Sequence, residues 1–330
     1  MTSASTWGVV DVHAHFVTTS YVDAAVAAGH TRPDGMAGWP SWSAEDHLRV
    51  MDANGIERSV LSISSPGVHF GDDAQAVELA REVNLAAANA VERHPDRFGF
   101  FASVPLPDVD AAVAEAAHAI DELGASGVVV ETNTHGRYVG DPAFAPLLAE
   151  LDRRSSVLFV HPTSPPGAED TALGYPRPML EFLFETTRSM TDLILSGALK
   201  RHPDLNVIAT HCGGFLSLVV ERLELFVQGL GIAGGDASLV RESLSQLWFD
   251  LAGTPVPAQA DALIRQVNST HLLYGSDYCW TPAPLVAAQV ATLDAHWSAD
   301  VHGSWRDLVA ANARHLWPNR VAETAGRIGT

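Results

Sequence analysis

One lysine and two cysteines in 330 residues are the first things this chain is short of. Cys212 and Cys279 are too few for a disulfide framework, so a reducing compartment is expected. Lys200 is the single lysine, and 20 basic residues face 39 acidic ones for a net charge of −19. No basic stretch offers a footprint for nucleic acid, and an acidic surface disfavours anionic membranes. The acid excess is read as a solubility feature. No apolar run reaches the ~18–20 residues that span a bilayer. The opening MTSASTWGVV has neither the basic nor the apolar stretch of a secretory leader, so a soluble, cytoplasmic protein is expected. There is also no Gly-x-Gly-x-x-Gly turn after the first apolar run, which weakens a doubly wound dinucleotide-binding sheet.

What is present is a large apolar fraction, 47% against 18% charged, enough for one domain spanning 1–330. Short β-branched runs alternate with Ala- and Leu-rich segments. Strands are predicted at 9–16, 58–64, 98–104, 127–131, 156–161, 205–211, 247–251 and 271–277. The intervening segments read as helices, with a helical tail from about Ala283. Ser43 with Asp46 marks a helix start and Asn54-Gly55 its stop. Residues 17–41, rich in Gly and Pro, read as a long loop. Eight continuous apolar strands alternating with helices predict a single (β/α)₈ barrel.

The chemistry sits where those strands end. In Val-Val-Asp-Val-His-Ala-His-Phe (9–16), residues two apart share a face, so His13 and His15 project side by side. His161, His211 and Asp277 each close another apolar strand. In a barrel these ends share one rim. Imidazole and carboxylate donors converging there suit a catalytic Zn²⁺, with Mn²⁺ the alternative. Asp277 could act as ligand and proton carrier, and His211 as ligand or general acid/base. The cysteines beside His211 and Asp277 are read as bystanders. Phe16, Trp39, Phe70, Phe184 and Trp280 are candidates to face a substrate ring, and His69 to bond a ring substituent.

Four motifs occur in order: Asp-Val-His-Ala-His (11–15), Phe-Val-His-Pro (159–162), Thr-His-Cys-Gly-Gly (210–214) and Tyr-Gly-Ser-Asp-Tyr (274–278). With them the chain resembles the amidohydrolase superfamily, in the branch of metal-dependent decarboxylases related to aminocarboxymuconate semialdehyde decarboxylase. Met51-Asp-Ala-Asn-Gly55, Ser62-Ile-Ser-Ser-Pro-Gly67, Pro105-Leu-Pro-Asp108, Tyr175-Pro-Arg-Pro178 and Glu181-Phe-Leu-Phe-Glu-Thr-Thr-Arg188 are similar to the fungal 6-methylsalicylate decarboxylases. The resemblance implies one divalent metal held by His13, His15, His161 and Asp277, with His211 catalytic beside it. It implies non-oxidative decarboxylation of a small aromatic acid, an ortho-hydroxybenzoate such as 6-methylsalicylate. It also implies a homodimer, because Arg222 matches an Arg that this branch places in the neighbouring subunit's site.

Two departures qualify this. Many relatives bridge two metals with a carboxylated Lys on strand four, where this chain has none. Glu131 at that strand end could instead support a second ion. The Arg that binds aminocarboxymuconate before the tryptophan at Trp42 is missing from Gly35–Ser41, which favours an aromatic acid. The rival activity is hydrolysis of a lactone, amide or ester on the same ligands. A third class is a binding protein on the same barrel, against which the full set of strand-end ligands argues.

Overall fold

β-branched and aromatic residues, which favour extended backbone, build a barrel interior. The computed structural model describes residues 8–298 and 303–317. Its strands are β1 (Val9–His15), β2 (Ile56–Ser62), β3 (Phe98–Ser103), β4 (Gly127–Glu131), β5 (Asn133–Thr134), β6 (Arg137–Tyr138), β7 (Val157–His161), β8 (Asn206–Ala209), β9 (Trp248–Asp250) and β10 (Leu272–Leu273). All but β5 and β6 form one parallel sheet that runs round in sequence order. A bridge from Asp11 to Tyr274 brings the last strand to the first, and Val12 N donates to Tyr274 O at 2.9 Å. With helices between the strands, this is the expected (β/α)₈ barrel.

The interior holds Val10, Val12, Val60, Phe101, Val129, Val157, Phe159, Ile208, Trp248 and Leu273. Phe101 and Phe159 stack at 5.0 Å. The C-terminal helix Trp305–Leu316 adds Ala313 and Leu316 to the same cluster, and Trp317 Nε1 donates to Ser126 O just before β4. That helix closes the N-terminal end of the barrel, so the opposite mouth is left for chemistry. Between Asp11 and Ala14 the register with β2 slips. The slip lets Val12 and His13, adjacent in sequence, both serve the interior, as a bulge does. Asp11 Oδ1 accepts the N–H groups of His13 and Ser276 and fixes it.

Local rules explain most helix bounds. Ser43 Oγ accepts Asp46 N at 3.1 Å, the helix Ala44–Asn54 follows, and Gly55 at φ 69° ends it. Four features differ from the sequence reading. Residues 17–41 are not all loop: Thr18 caps a helix, Thr19–Ala27, whose Tyr21 and Ala25 are buried, so core burial outweighs the nearby Gly and Pro. A hairpin, β5–β6, follows β4, and a further helix occupies Ser238–Leu244. Among the described residues the tail holds two helices, Ala283–His296 and Trp305–Leu316; 299–302 and 318–330 lie outside the described residues. Among the described residues no helix is long and apolar enough to cross a membrane.

His47 is buried on the helix Ala44–Asn54, accepts Trp42 Nε1–H at 3.0 Å and packs against Phe98 and Tyr278. Burial pushes its pKa down to about 3. Below the ordinary value of about 6.5 the unfolded chain therefore binds a proton that the folded chain does not, and stability falls as pH drops from there towards 3. Urea unfolding at pH 7 and pH 5 should show a smaller loss for His47→Gln than for the parent, by about 1–2 kcal/mol. An equal loss would place the acid sensitivity elsewhere.

A candidate metal centre at the barrel mouth

Strand ends, backbone pairing and one buried acid set the geometry of the mouth. β1 delivers His13 and His15, β7 delivers His161, and the stretch after β10 delivers Asp277. Asp277 N donates to His13 O at 2.8 Å, so the two ligand-bearing segments run side by side. Gly275 makes that approach possible, since a Cβ there would lie 2.6 Å from His13 Cβ. His13, His15, His161 and Asp277 each offer a donor atom within 4.8 Å of the others. His15 Nε2 and His13 Nε2 lie 3.2 and 3.6 Å from Asp277 Oδ1.

The other ring nitrogens fix which lone pairs are free. His13 Nδ1 donates to Asp250 Oδ2 at 2.9 Å, and His15 Nδ1 faces Ser62 O and Oγ at 3.3 and 3.0 Å. Both Nε2 atoms are thereby left as acceptors, and both are buried without a hydrogen bond. Each such orphaned group costs about 1–3 kcal/mol unless something binds it. Burial pushes His15 and His161 below the usual imidazole range, which favours neutral ligands. For His13 burial is outweighed by the Asp250 carboxylate, and the ring is held above that range. Burial would raise Asp277 too, but contacts from His15 and His211 and the charge on His13 hold it well below the carboxylate range. With His13 giving up its Nε2 proton as the ion binds, three imidazole nitrogens and one ionised oxygen fit a divalent metal.

His211 begins the turn after β8, at φ 52° with Cys212 at φ 56°, both left-handed. Asp250 Oδ1 accepts His211 N at 2.9 Å, and Gln259 Nε2 donates to His211 O and Gly214 O. Gly214 is required there, because a Cβ would fall 2.2 Å from Leu183 O. His211 Nε2 then stands 3.8 Å from Asp277 Oδ2, beside the four donors. Glu131 is not among the four donors: its Oε2 lies 3.6 Å from His161 Nδ1, and neither atom has a hydrogen-bond partner. Burial, then the Asp34 charge, raises its pKa well above the carboxylate range.

A pocket of about 220 Å³ opens over this group, lined by Asp34, Met36, Ser64, Ser65, Pro178, Phe182, Gly253, Trp280 and Thr281 with His161, His211 and Asp277. Trp280 is therefore at the site, with Trp39 behind it at 5.6 Å. The other sequence candidates lie elsewhere. Phe16 is buried in the main core against Trp42. Phe184 is exposed and packs on Phe215; two residues earlier, Phe182 takes the other side of the helix and reaches the pocket. His69 bonds Asp73 at 2.8 Å and His135 at 3.1 Å, at a second cavity of about 380 Å³ that Phe70 and Glu131 also line. Arg222 lies on the exposed face of the helix Leu216–Leu230, over the Phe226 ring, while Glu221 and Glu224 pair with Arg241. Asp250 was not singled out in the sequence, although an acid closing the apolar run Leu247–Leu251 was the available signal.

Asp250→Ala frees His13 Nδ1 and the His211 amide together. Metal titration should show affinity reduced about 10- to 100-fold, as for other carboxylates that orient ligating histidines. His161→Ala should lose most bound metal; full metal content by elemental analysis would contradict its place among the donors.

The amidohydrolase family model matches residues 10–318. The 6-methylsalicylic acid decarboxylase of Aspergillus aculeatus is 33% identical over 324 residues, 94% of this chain and 96% of that one. A decarboxylase of Aspergillus niger is 33% identical over 301 residues, covering 86% of this chain and 81% of its own. A crystal structure described as amidohydrolase II superposes with a TM-score of 0.85 at 31% identity, covering 93% of this chain and 98% of that one. With a matching barrel, strand-end donors and near full-length coverage, the chain belongs to the amidohydrolase family.

Proposed function

We propose that the chain is a metal-dependent, non-oxidative decarboxylase of an ortho-hydroxybenzoate, with 6-methylsalicylate as the reference substrate. The observation that carries this reading is the lining of the pocket over the four donors. It is small enough for one ring, walled by Phe182, Trp280, Met36 and Pro178, and contains no Lys or Arg. Among the described residues no side-chain cation lines it, so within this chain the metal position is the counter-charge that an anionic substrate head meets. The Aspergillus aculeatus relative, a 6-methylsalicylic acid decarboxylase, supports the same chemistry.

His13, His15, His161 and Asp277 would hold one divalent ion, Zn²⁺ by the nitrogen-rich donor set with Mn²⁺ as the alternative. When bound, such an ion would supply positive charge that offsets the substrate's oxygens. The protein's own groups supply orientation and the proton. Trp280 and Phe182 hold the ring and exclude water. The His211–Asp277 pair delivers a proton to the ring carbon bearing the carboxylate. A C–H bond forms there, the bond to the carboxylate carbon breaks, its electron pair restores the aromatic ring, and CO₂ leaves. No oxidant or reductant is consumed.

We read residues 1–330 as one domain acting as a homodimer in the cytoplasm. Leu218, Leu225 and Leu230 are each about two-thirds exposed on the helix that carries Arg222, a surface suited to a second copy. Cys212 and Cys279 are free and buried, in keeping with a reducing compartment.

CO₂ and phenol release from 6-methylsalicylate by Zn²⁺- and Mn²⁺-loaded enzyme is the direct test. Activity should vanish on chelation and return with metal. His211→Ala should keep its metal and lose turnover by about 10²-fold or more, as expected for a general acid. Lost metal in that variant would make His211 a ligand instead. Two metals per chain with turnover of a lactone or amide would favour hydrolysis. Sedimentation should give a dimer that Leu225→Asp dissociates; a monomeric parent chain would overturn the assembly.

A further inference from the structure

The loop before the helix Ala44–Asn54 brings Asp34, an acid that the chemistry above does not use, to the wall of the pocket. Asp34 sits in the turn Pro33–Gly35 at φ 51° and ψ 26°, a left-handed conformation that side-chain-bearing residues rarely adopt. The turn is held from two sides. Ser164 Oγ, on the segment after β7, donates to Asp34 Oδ1, and the Arg177 guanidinium lies against Gly35 while paired with Glu169. Asp34 thus lines the same pocket as His161, His211, Asp277 and Trp280. Among the described residues no ion pair engages it, and no Lys or Arg lines the pocket.

Charge decides what Asp34 can face. A benzoate carboxylate is repelled by it and is driven towards the metal position. A ring substituent turned towards Asp34 must therefore be one that donates. A hydroxyl there makes a charge-assisted hydrogen bond, whereas a methyl group strips water from the carboxylate and returns nothing. A site built to bond a hydroxyl rejects the analogue that lacks it.

We propose that Asp34 is the specificity-determining carboxylate of this pocket. It accepts a hydrogen bond from a ring hydroxyl additional to the ortho one, so dihydroxybenzoates are preferred to alkyl-substituted salicylates. The claim rests on the decarboxylase reading for its substrate class, and on Asp34 alone for its ranking.

The test is a ratio. kcat/KM is measured on the metal-loaded enzyme for 2,3-, 2,4- and 2,6-dihydroxybenzoate and for 6-methylsalicylate, in the parent chain, Asp34→Gly and Asp34→Asn. Gly suits φ 51° and removes the side chain without strain, while Asn tolerates that conformation and keeps an acceptor oxygen. The best dihydroxybenzoate should exceed 6-methylsalicylate by about 10-fold or more in the parent chain. Asp34→Gly should collapse that ratio by about 10- to 100-fold, with Asn between. Any general damage to the loop lowers both substrates and cancels in the ratio. A ratio unchanged in Asp34→Gly overturns the proposal. If no acid releases CO₂, the decarboxylase reading fails; the same ratio of dissociation constants, taken by calorimetry on metal-loaded protein, then decides Asp34 on its own.

Discussion

A single buried carboxylate ties the mouth of this barrel together. Asp250, at the end of β9, accepts from the His13 ring, from the backbone of His211 and from the backbone of Ala252. These contacts reach β1, the turn after β8 and the segment after β9 itself. One acid therefore sets the tautomer of a metal-facing imidazole and the position of the residue poised to move a proton. Burial opposes its ionisation, but the His13 charge and hydrogen bond outweigh it, and Asp250 stays below the usual carboxylate range. The orphaned His13 Nε2 follows from this arrangement, as that of His15 follows from Ser62, because the other ring nitrogens are already engaged.

The second constraint is the pocket's charge. Among the described residues no Lys or Arg lines its walls, so the four donors are where an anion finds a counter-charge in this chain, and Asp34 adds a negative charge to the same wall. The apolar and aromatic walls hold a ring but do not select its substituents. Binding, orientation and selection therefore fall to different groups. Glu131, the acid that ends β4, lies 3.6 Å from His161 Nδ1 and is driven towards its neutral form by burial.

Much of this was legible in the chain itself. Continuous β-branched runs gave all eight barrel strands to within a few residues, because both faces of such a sheet are covered and periodicity is replaced by simple apolar runs. His13, His15, His161 and Asp277 were found as polar residues closing those runs, and the structure brings their donor atoms within 4.8 Å. Substrate candidates fared less well. Phe182 and Phe184 both fit an aromatic wall on paper; only the rotation of their helix separates them. His69 turned out to serve another cavity, and Phe16 the core.

The sequence by itself determined the strand order, the chemical type of the donors and their place at strand ends, since all three depend on local pattern and on neighbours two residues apart. Only the tertiary structure decided that Asp250 reaches His13 across 237 positions, that Asp34 comes to the pocket from a loop, and which face of the helix Glu181–Leu195 meets the substrate space. Those are contacts between segments distant in the chain. They are fixed by how the barrel closes and how its helices roll against it, and no local pattern of residues encodes either.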